Sequence, residues 1–222
     1  LTNASIYLNL LDVHAAWSPH GGGSGGRDPA EERERLVDAF TKVAAERGYA
    51  ETAVEEVAAE AGLGRAAFAA HFRDKQQCLL AAYDHFFDRL IGEVEDAMDL
   101  EAPWPRQVES GVEAALGFVI ESAGAARVFA VEAPALGPPA IDRYIVAIDR
   151  IVALLRLGRE RSREAAALPA LTEAVLVAGA VSLVTAALLA EEQERLPDLQ
   201  AGLVEVLLLP YVGSDEAPEP TA

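Results

Sequence analysis

Residues 61–75, AGLGRAAFAAHFRDK, gather Arg65, His71, Arg73 and Lys75 into one short span. An arginine can grip a guanine edge or a phosphate with a planar fork, and a lysine meets a phosphate as a point charge. Such groups recognise anions, above all the backbone and bases of nucleic acid. Between them, however, stand Ala66, Ala67, Ala69 and Ala70. These offer only methyl groups, which can touch a thymine methyl but donate no hydrogen bond. Catalysis has no comparable signature. The four histidines, at 14, 20, 71 and 85, lack ligand spacing, and neither a phosphate-binding glycine loop nor a Ser/His/Asp order stands out. The residues therefore point to recognition by a non-enzyme, with no metal and no cofactor required.

Charge confines where that recognition can occur. The 222-residue chain carries a net charge of −18, which repels nucleic acid and anionic membrane overall. Residues 1–76 hold 8 Lys/Arg against 12 Asp/Glu, whereas residues 77–222 hold 10 against 24. Nucleic-acid contact belongs in the first third. The lone Cys78 excludes an internal disulfide framework and fits a reducing cytoplasm; it reads as a small buried hydrophobe. The first residues lack the basic and apolar regions of a signal peptide. Ala174–Ala190, AVLVAGAVSLVTAALLA, is the most apolar stretch, about a turn short of a comfortable membrane span. It is expected to be a helix buried in protein on several sides, not a membrane anchor.

The elements that must position the cations are helices, because Ala, Leu and Val dominate and strand alternation is scarce. Residues 1–27 carry GGGSGG at 21–26 and read either as a loose tail or as the remnant of an upstream domain. Asp28-Pro29-Ala30-Glu31 opens a helix that buries Leu36, Ala39, Phe40, Val43 and Ala44 and ends at Gly48. A capping box from Thr52 to Glu55 opens a short helix with Val54, Val57, Ala58 and Ala61 inward, stopped by Gly62. A third short helix covers about 65–72, and a long fourth about 74–98. Helical segments are expected at about 106–123, 125–134, 138–157, 169–191 and 196–210, before an acidic, Pro-bearing tail at 214–222 that is expected to be disordered.

Two short helices joined by a glycine-containing turn form a helix-turn-helix. Residues 33–84 resemble the N-terminal region of TetR/AcrR-type transcriptional regulators. The resemblance rests on Glu46-Arg47-Gly48-Tyr49, Thr52, Val57-Ala58, Ala61-Gly62, Phe68, His71-Phe72 and Lys75. It implies an all-α fold in which a helix-turn-helix domain (28–76) is joined by a long helix to a helical ligand-binding and dimerisation domain (77–213). The expected DNA-binding residues are Thr52, Gly64, Arg65, Ala66, Ala67, Ala69, His71 and Lys75, with Lys75 at the family's phosphate-contacting lysine. Phe40 and Ala44 exchange the family's usual small and large positions on one helix face, so the core can keep its volume. The family usually has Ser or Thr at 64, often Thr or Ser at 67 and Tyr at 69. Here Gly64, Ala67 and Ala69 remove those hydroxyls. Plainer alternatives are solvated charge for Arg65 and Lys75, capping for Thr52 and packing for His71.

The resemblance further implies a ligand cavity among the helices from about 77 to 165 and a homodimer through about 169–210. Residues 169–191 are apolar around most of the helix, more than one buried face requires. Trp104, Phe118, Phe129 and Tyr144 are the candidate pocket residues, each with plain core as the alternative, and a small apolar molecule is the expected ligand. The arginines at 156, 159, 161 and 163 read as a solvated patch at a helix end. Three functions follow: a ligand-responsive dimeric repressor on operator DNA, a degenerate sensing module serving an upstream domain without reading DNA, or a carrier of apolar ligands.

Overall fold

The computed structural model describes residues 28–160 and 163–211, so the expectations for 1–27, for 214–222 and for Arg161 lie outside the described residues. All regular structure among the described residues is helical. Helix α1 (Pro29–Glu51) starts as its sequence requires: Asp28 accepts from the Ala30 N–H at 3.0 Å and Pro29 occupies the first turn. Its apolar stripe, Leu36, Val37, Ala39, Phe40, Val43 and Ala44, is buried. Phe40 is fully enclosed and meets the Tyr49 ring at 6.5 Å, so the exchanged bulk along this face is repacked. Helical geometry breaks at Gly48, as expected, where φ is +79°. One further turn then reaches Glu51.

Helices α2 (Val54–Glu60) and α3 (Arg65–His71) follow, then α4 (Lys75–Ala97). The start of α4 is held reciprocally. Asp74 accepts from the Gln77 N–H at 2.8 Å, and Gln77 Oε1 accepts from the Arg73 N–H at 2.7 Å. These bonds from Gln77 and from the Arg73 side chain hold the Asp74 carboxyl below the usual range. The buried side of α4 runs Cys78, Leu79, Ala82, Tyr83, Phe86, Leu90 and Ile91, a continuous seam at helical spacing. Cys78 is fully buried, and burial pushes its thiol up to about 12, in keeping with a packing role.

Helix α5 (Trp104–Glu121) packs along α4. Beyond Ser122 the chain bends through 96° into α6 (Ala123–Arg127), which runs into a π-helical turn, Val128–Glu132, and a 3₁₀ turn, Ala133–Leu136. Gly124 sits so close to α1 that a Cβ there would lie 2.8 Å from the Ala45 carbonyl oxygen. Helix α7 (Pro138–Arg156) then crosses back to α4. Helices α8 (Thr172–Leu189) and α9 (Leu196–Leu208) complete the bundle, α9 against α5 and α8 against α7. An aromatic group of Tyr83, Phe86, Phe118 and Phe129 fills the middle, with ring centroids 5.0–5.7 Å apart.

Far from α1, Arg159 departs from the solvated charge expected of the arginine patch. Glu173, in the first turn of α8, is completely buried. Arg159 donates to both its oxygens at 2.6 and 2.8 Å, and the Tyr211 hydroxyl donates at 3.0 Å. Burial pulls the Glu173 carboxyl upward, but these bonds and the Arg159 charge outweigh it and hold the group below its ordinary value. A carboxyl depressed by folding contributes stability above its unfolded pKa and loses it as pH falls through the folded value. Glu173→Gln is therefore expected to cost about 3 kcal/mol at pH 7, with the gap to the parent protein closing below about pH 4. Chemical denaturation at both pH values checks this; a gap independent of pH would mean that the pair contributes through packing alone.

Candidate nucleic-acid interface and sensor cavity

The turn between α2 and α3 is built on Gly62. Its φ is +63°, its N–H reaches the Ala59 carbonyl at 2.9 Å, and the Leu63 N–H reaches the Ala58 carbonyl at 2.8 Å. This is a Schellman stop, which a glycine accommodates without strain. Arg35 from α1 donates to the Ala61 carbonyl and ties the turn down. Gly64 then caps α3 through its backbone alone. Open space surrounds the position its Cβ would take.

On α3, Phe68 points inward and meets Phe72 at 5.5 Å, with the Arg33 guanidinium over the Phe72 ring. Gly64, Arg65, Ala66, Ala69 and Ala70 are exposed, whereas Ala67 is half-buried. The outward face thus presents methyl groups and a single cation. Arg65 is directed back to Glu55 of α2, Nη1 to Oε1 at 2.5 Å, in an ion pair open to solvent. Such a pair is weak and can be redirected.

The remaining expected contacts are engaged within the fold. Thr52 is buried, and its hydroxyl donates to the Gly48 carbonyl at 2.8 Å; α2 is capped instead by Ala53, without a side-chain bond. The capping box expected from Thr52 to Glu55 does not form, because the kink at Gly48 leaves a carbonyl for the Thr52 hydroxyl to take. His71 lies inward, 3.4 Å from Glu32 of α1. Lys75 donates to the carbonyls of Tyr49 (2.9 Å) and Ala50 (3.2 Å), and its ammonium sits 4.3 Å from the centre of the Tyr49 ring. Spacing along the chain could not reveal these roles, since Lys75 meets carbonyls about 25 residues upstream.

A cavity of about 210 Å³ lies among α4, α5, α7, α8 and α9. Its wall is almost wholly apolar: Phe86, Leu90, Val94, Met98, Val108, Leu116, Val119, Ile148, Val181, Val184 and Leu203 contribute, with Ala126 and Ala130 at the α6 end. Trp104 and Tyr144 line it as the sequence suggests, whereas Phe118 and Phe129 do not. Those two rings are enclosed in the aromatic group behind Phe86, where they pack as core. The volume exceeds the roughly 150 Å³ that holds benzene in an engineered apolar cavity and is below the usual 300–1,000 Å³ of ligand pockets. The Trp104 indole N–H, buried beside the cavity, has no partner among the described residues. No cluster of metal-ligating side chains occurs among the described residues.

A helix-turn-helix on a helical body that holds an apolar cavity defines the architecture. Residues 36–82 match the family model of bacterial regulatory proteins, tetR family. Over that span the chain is similar to the N-terminal region of the TetR family. It is 29% identical over 79 residues to the HTH-type transcriptional regulator YerO of Bacillus subtilis, covering 35% of this chain and 27% of that one. It is 30% identical over 117 residues to the HTH-type transcriptional activator FasR of Mycolicibacterium smegmatis, covering 52% and 53% respectively. These matches thus span about a quarter and about half of the relatives' lengths. Among solved structures, FadR from Bacillus subtilis, a transcriptional regulator crystallised with stearoyl-CoA, superposes with a TM-score of 0.66 at 16% identity, covering 81% of this chain and 99% of that one. These relatives are transcriptional regulators, not enzymes.

The two cations kept from the sequence reading separate by role. Lys75→Met is expected to destabilise the protein by about 1.5 kcal/mol, because two carbonyls lose a charged donor. Arg65→Ala should change stability by less than about 0.5 kcal/mol. Thermal melts of the two variants decide the point, and equally small shifts would mean that Lys75 is free.

Proposed function

We propose that the chain is a ligand-responsive dimeric transcriptional repressor that docks α3 in the major groove of an operator. The observation that carries this reading is the apolar cavity in the body to which the helix-turn-helix is rigidly tied through α4. In such an arrangement an apolar ligand favours one setting of α4 and hence one spacing of the two α3 helices. The neighbouring FadR carries stearoyl-CoA, and the wall chemistry here suits a chain of the same apolar kind. Arg65 is the base- or phosphate-contacting residue, and the Ala66, Ala69 and Ala70 methyls meet thymine methyls.

The dimer is inferred from α8 and α9. Val177, Val181, Val184 and Leu188 turn inward, while Val175, Leu183 and Leu189 are open to solvent. Val206 and Leu209 extend that apolar surface on α9. In the single chain α8 is therefore buried on one side only, short of the several-sided burial expected. Thr172–Leu189 is long and apolar enough to cross a membrane. The buried Glu173–Arg159 pair in its first turn and its packing on α7 favour a second copy as the cover. Leu183→Glu is expected to give a folded monomer by light scattering; an unchanged dimer would remove α8 from the interface.

A second reading has specific support: Arg65 is paired with Glu55, Lys75 is engaged with Tyr49 and Ala50, and α3 is otherwise bare. On that reading the module senses without reading DNA. Selection of bound duplexes from a random library, followed by salt titration, separates the two. Sequence-preferring binding with a steep salt slope is expected, weakened several-fold by Arg65→Ala and strengthened by Glu55→Gln. Equal, feeble binding to all duplexes would establish the second reading. Reporter output in cells with and without the protein then distinguishes repression from activation.

A further inference from the structure

Besides the packing of α1 on α4 and α6, one hydrogen bond ties the π turn beside the cavity to the turn that follows Gly48. At Gly48 the chain turns through φ +79°, so the Tyr49 N–H leaves the helical ladder of α1. Its partner comes from 83 residues further on: Glu132 Oε2 accepts it at 2.8 Å. The fit is close, since a Cβ on Gly48 would lie 3.4 Å from both Glu132 oxygens. The other side of the same turn holds the DNA-reading unit. Thr52 donates to the Gly48 carbonyl, and Lys75, the first residue of α4, donates to the Tyr49 carbonyl. Glu132 thus secures the Gly48–Tyr49 peptide, whose carbonyl Thr52 takes, directly before the Tyr49–Ala50 peptide whose carbonyl Lys75 of α4 takes.

Glu132 is also the last residue of the π-helical turn Val128–Glu132. Ala130 and Ala126 of this segment line the cavity, and Phe129 is clamped between Tyr83 (5.7 Å) and Phe86 (5.0 Å). Arg127 spans the same neighbourhood, 3.8 Å from Glu132 on one side and 3.8 Å from Glu191 at the end of α8 on the other. A π turn carries one residue more than the α-helix accommodates and is a common site of local adjustment. A hydrogen bond of 2.8 Å fails when its partners separate by about a further ångström. Occupancy of the cavity need only push Ala130 outward by that distance to release the Tyr49 N–H.

We propose that Glu132 is the positioning residue through which the state of the cavity wall sets the Gly48–Thr52 turn and, with it, the orientation of α2 and α3. This rests on the reading of the cavity as a ligand site, and the test keeps the two apart. Hydrogen exchange of the peptide spanning residues 45–52 is measured by mass spectrometry on the full chain. Glu132→Ala should raise its exchange about tenfold, whereas Glu132→Gln, which keeps an acceptor oxygen, should stay within about threefold of the parent protein. Ala130→Leu fills the cavity from the π turn and should also raise exchange about tenfold, but should add nothing in a Glu132→Ala background. Val181→Leu, which fills the cavity from α8, should leave the peptide unchanged. If Ala130→Leu leaves exchange at the parent rate, or if its effect adds in full to that of Glu132→Ala, the proposal is overturned. Calorimetry with 1-decanol asks separately whether the cavity takes an apolar chain. Failure to bind would count against the ligand reading, while the Ala130→Leu comparison still decides the role of Glu132.

Discussion

Burial of α4 along its whole length is the constraint on which the rest depends. A 23-residue helix is about 35 Å long, and this one contributes both to the core shared with α1 and to the cavity wall. Its first turns complete the core of α1, α2 and α3 through Cys78, Leu79 and Ala82. Its later turns, through Leu90, Ile91 and Val94, form the cavity wall. The same row of side chains therefore belongs to both halves, and the buried cluster passes from α1 to α6 without a gap. A close-packed row of this kind cannot yield at one end while the other stays fixed.

Electrostatics shape what the reading head can do. The molecule is strongly anionic, and the cations of its first third are largely matched: Lys42 with Glu60, Arg47 with Glu56, Arg65 with Glu55. These are exposed pairs, individually weak, so a phosphate backbone can compete for the arginines at little cost. Lys75 is different, since its bonds to two carbonyls hold the turn in place. The exposed face of α3 thus offers one cation, Arg65, and a row of alanine methyls.

Much of the fold was legible because helices announce themselves locally. The Asp28-Pro29 start, the Gly62 stop, the stripe Leu36–Phe40–Val43–Ala44 and the long apolar register of α4 are set by residues three to five apart. The helix boundaries after residue 100 came close for the same reason. The π turn at Val128–Glu132 carries no comparable local signal and is visible only in the folded chain. The candidate site was less legible. Thr52 and Lys75 stand where the family places its DNA contacts, yet both are turned to the Gly48–Tyr49 turn, one inside the core and one at its edge. Phe118 and Phe129 were candidates for the cavity by size alone, and packing put them behind Phe86.

The sequence by itself determined the all-α class, the helix-turn-helix with its likeness to the tetR family over residues 36–82, and the scarcity of polar groups on α3. Each follows from residue type and short-range spacing, which act before any long-range contact forms. Only the tertiary structure decided which side chains are spent within the fold and which remain for a partner. Glu132 meeting the Tyr49 N–H, Arg159 meeting a buried Glu173 and Lys75 meeting the carbonyls of Tyr49 and Ala50 all join residues distant in the chain. Chain separation carries no record of such meetings, because they are set by how whole helices pack.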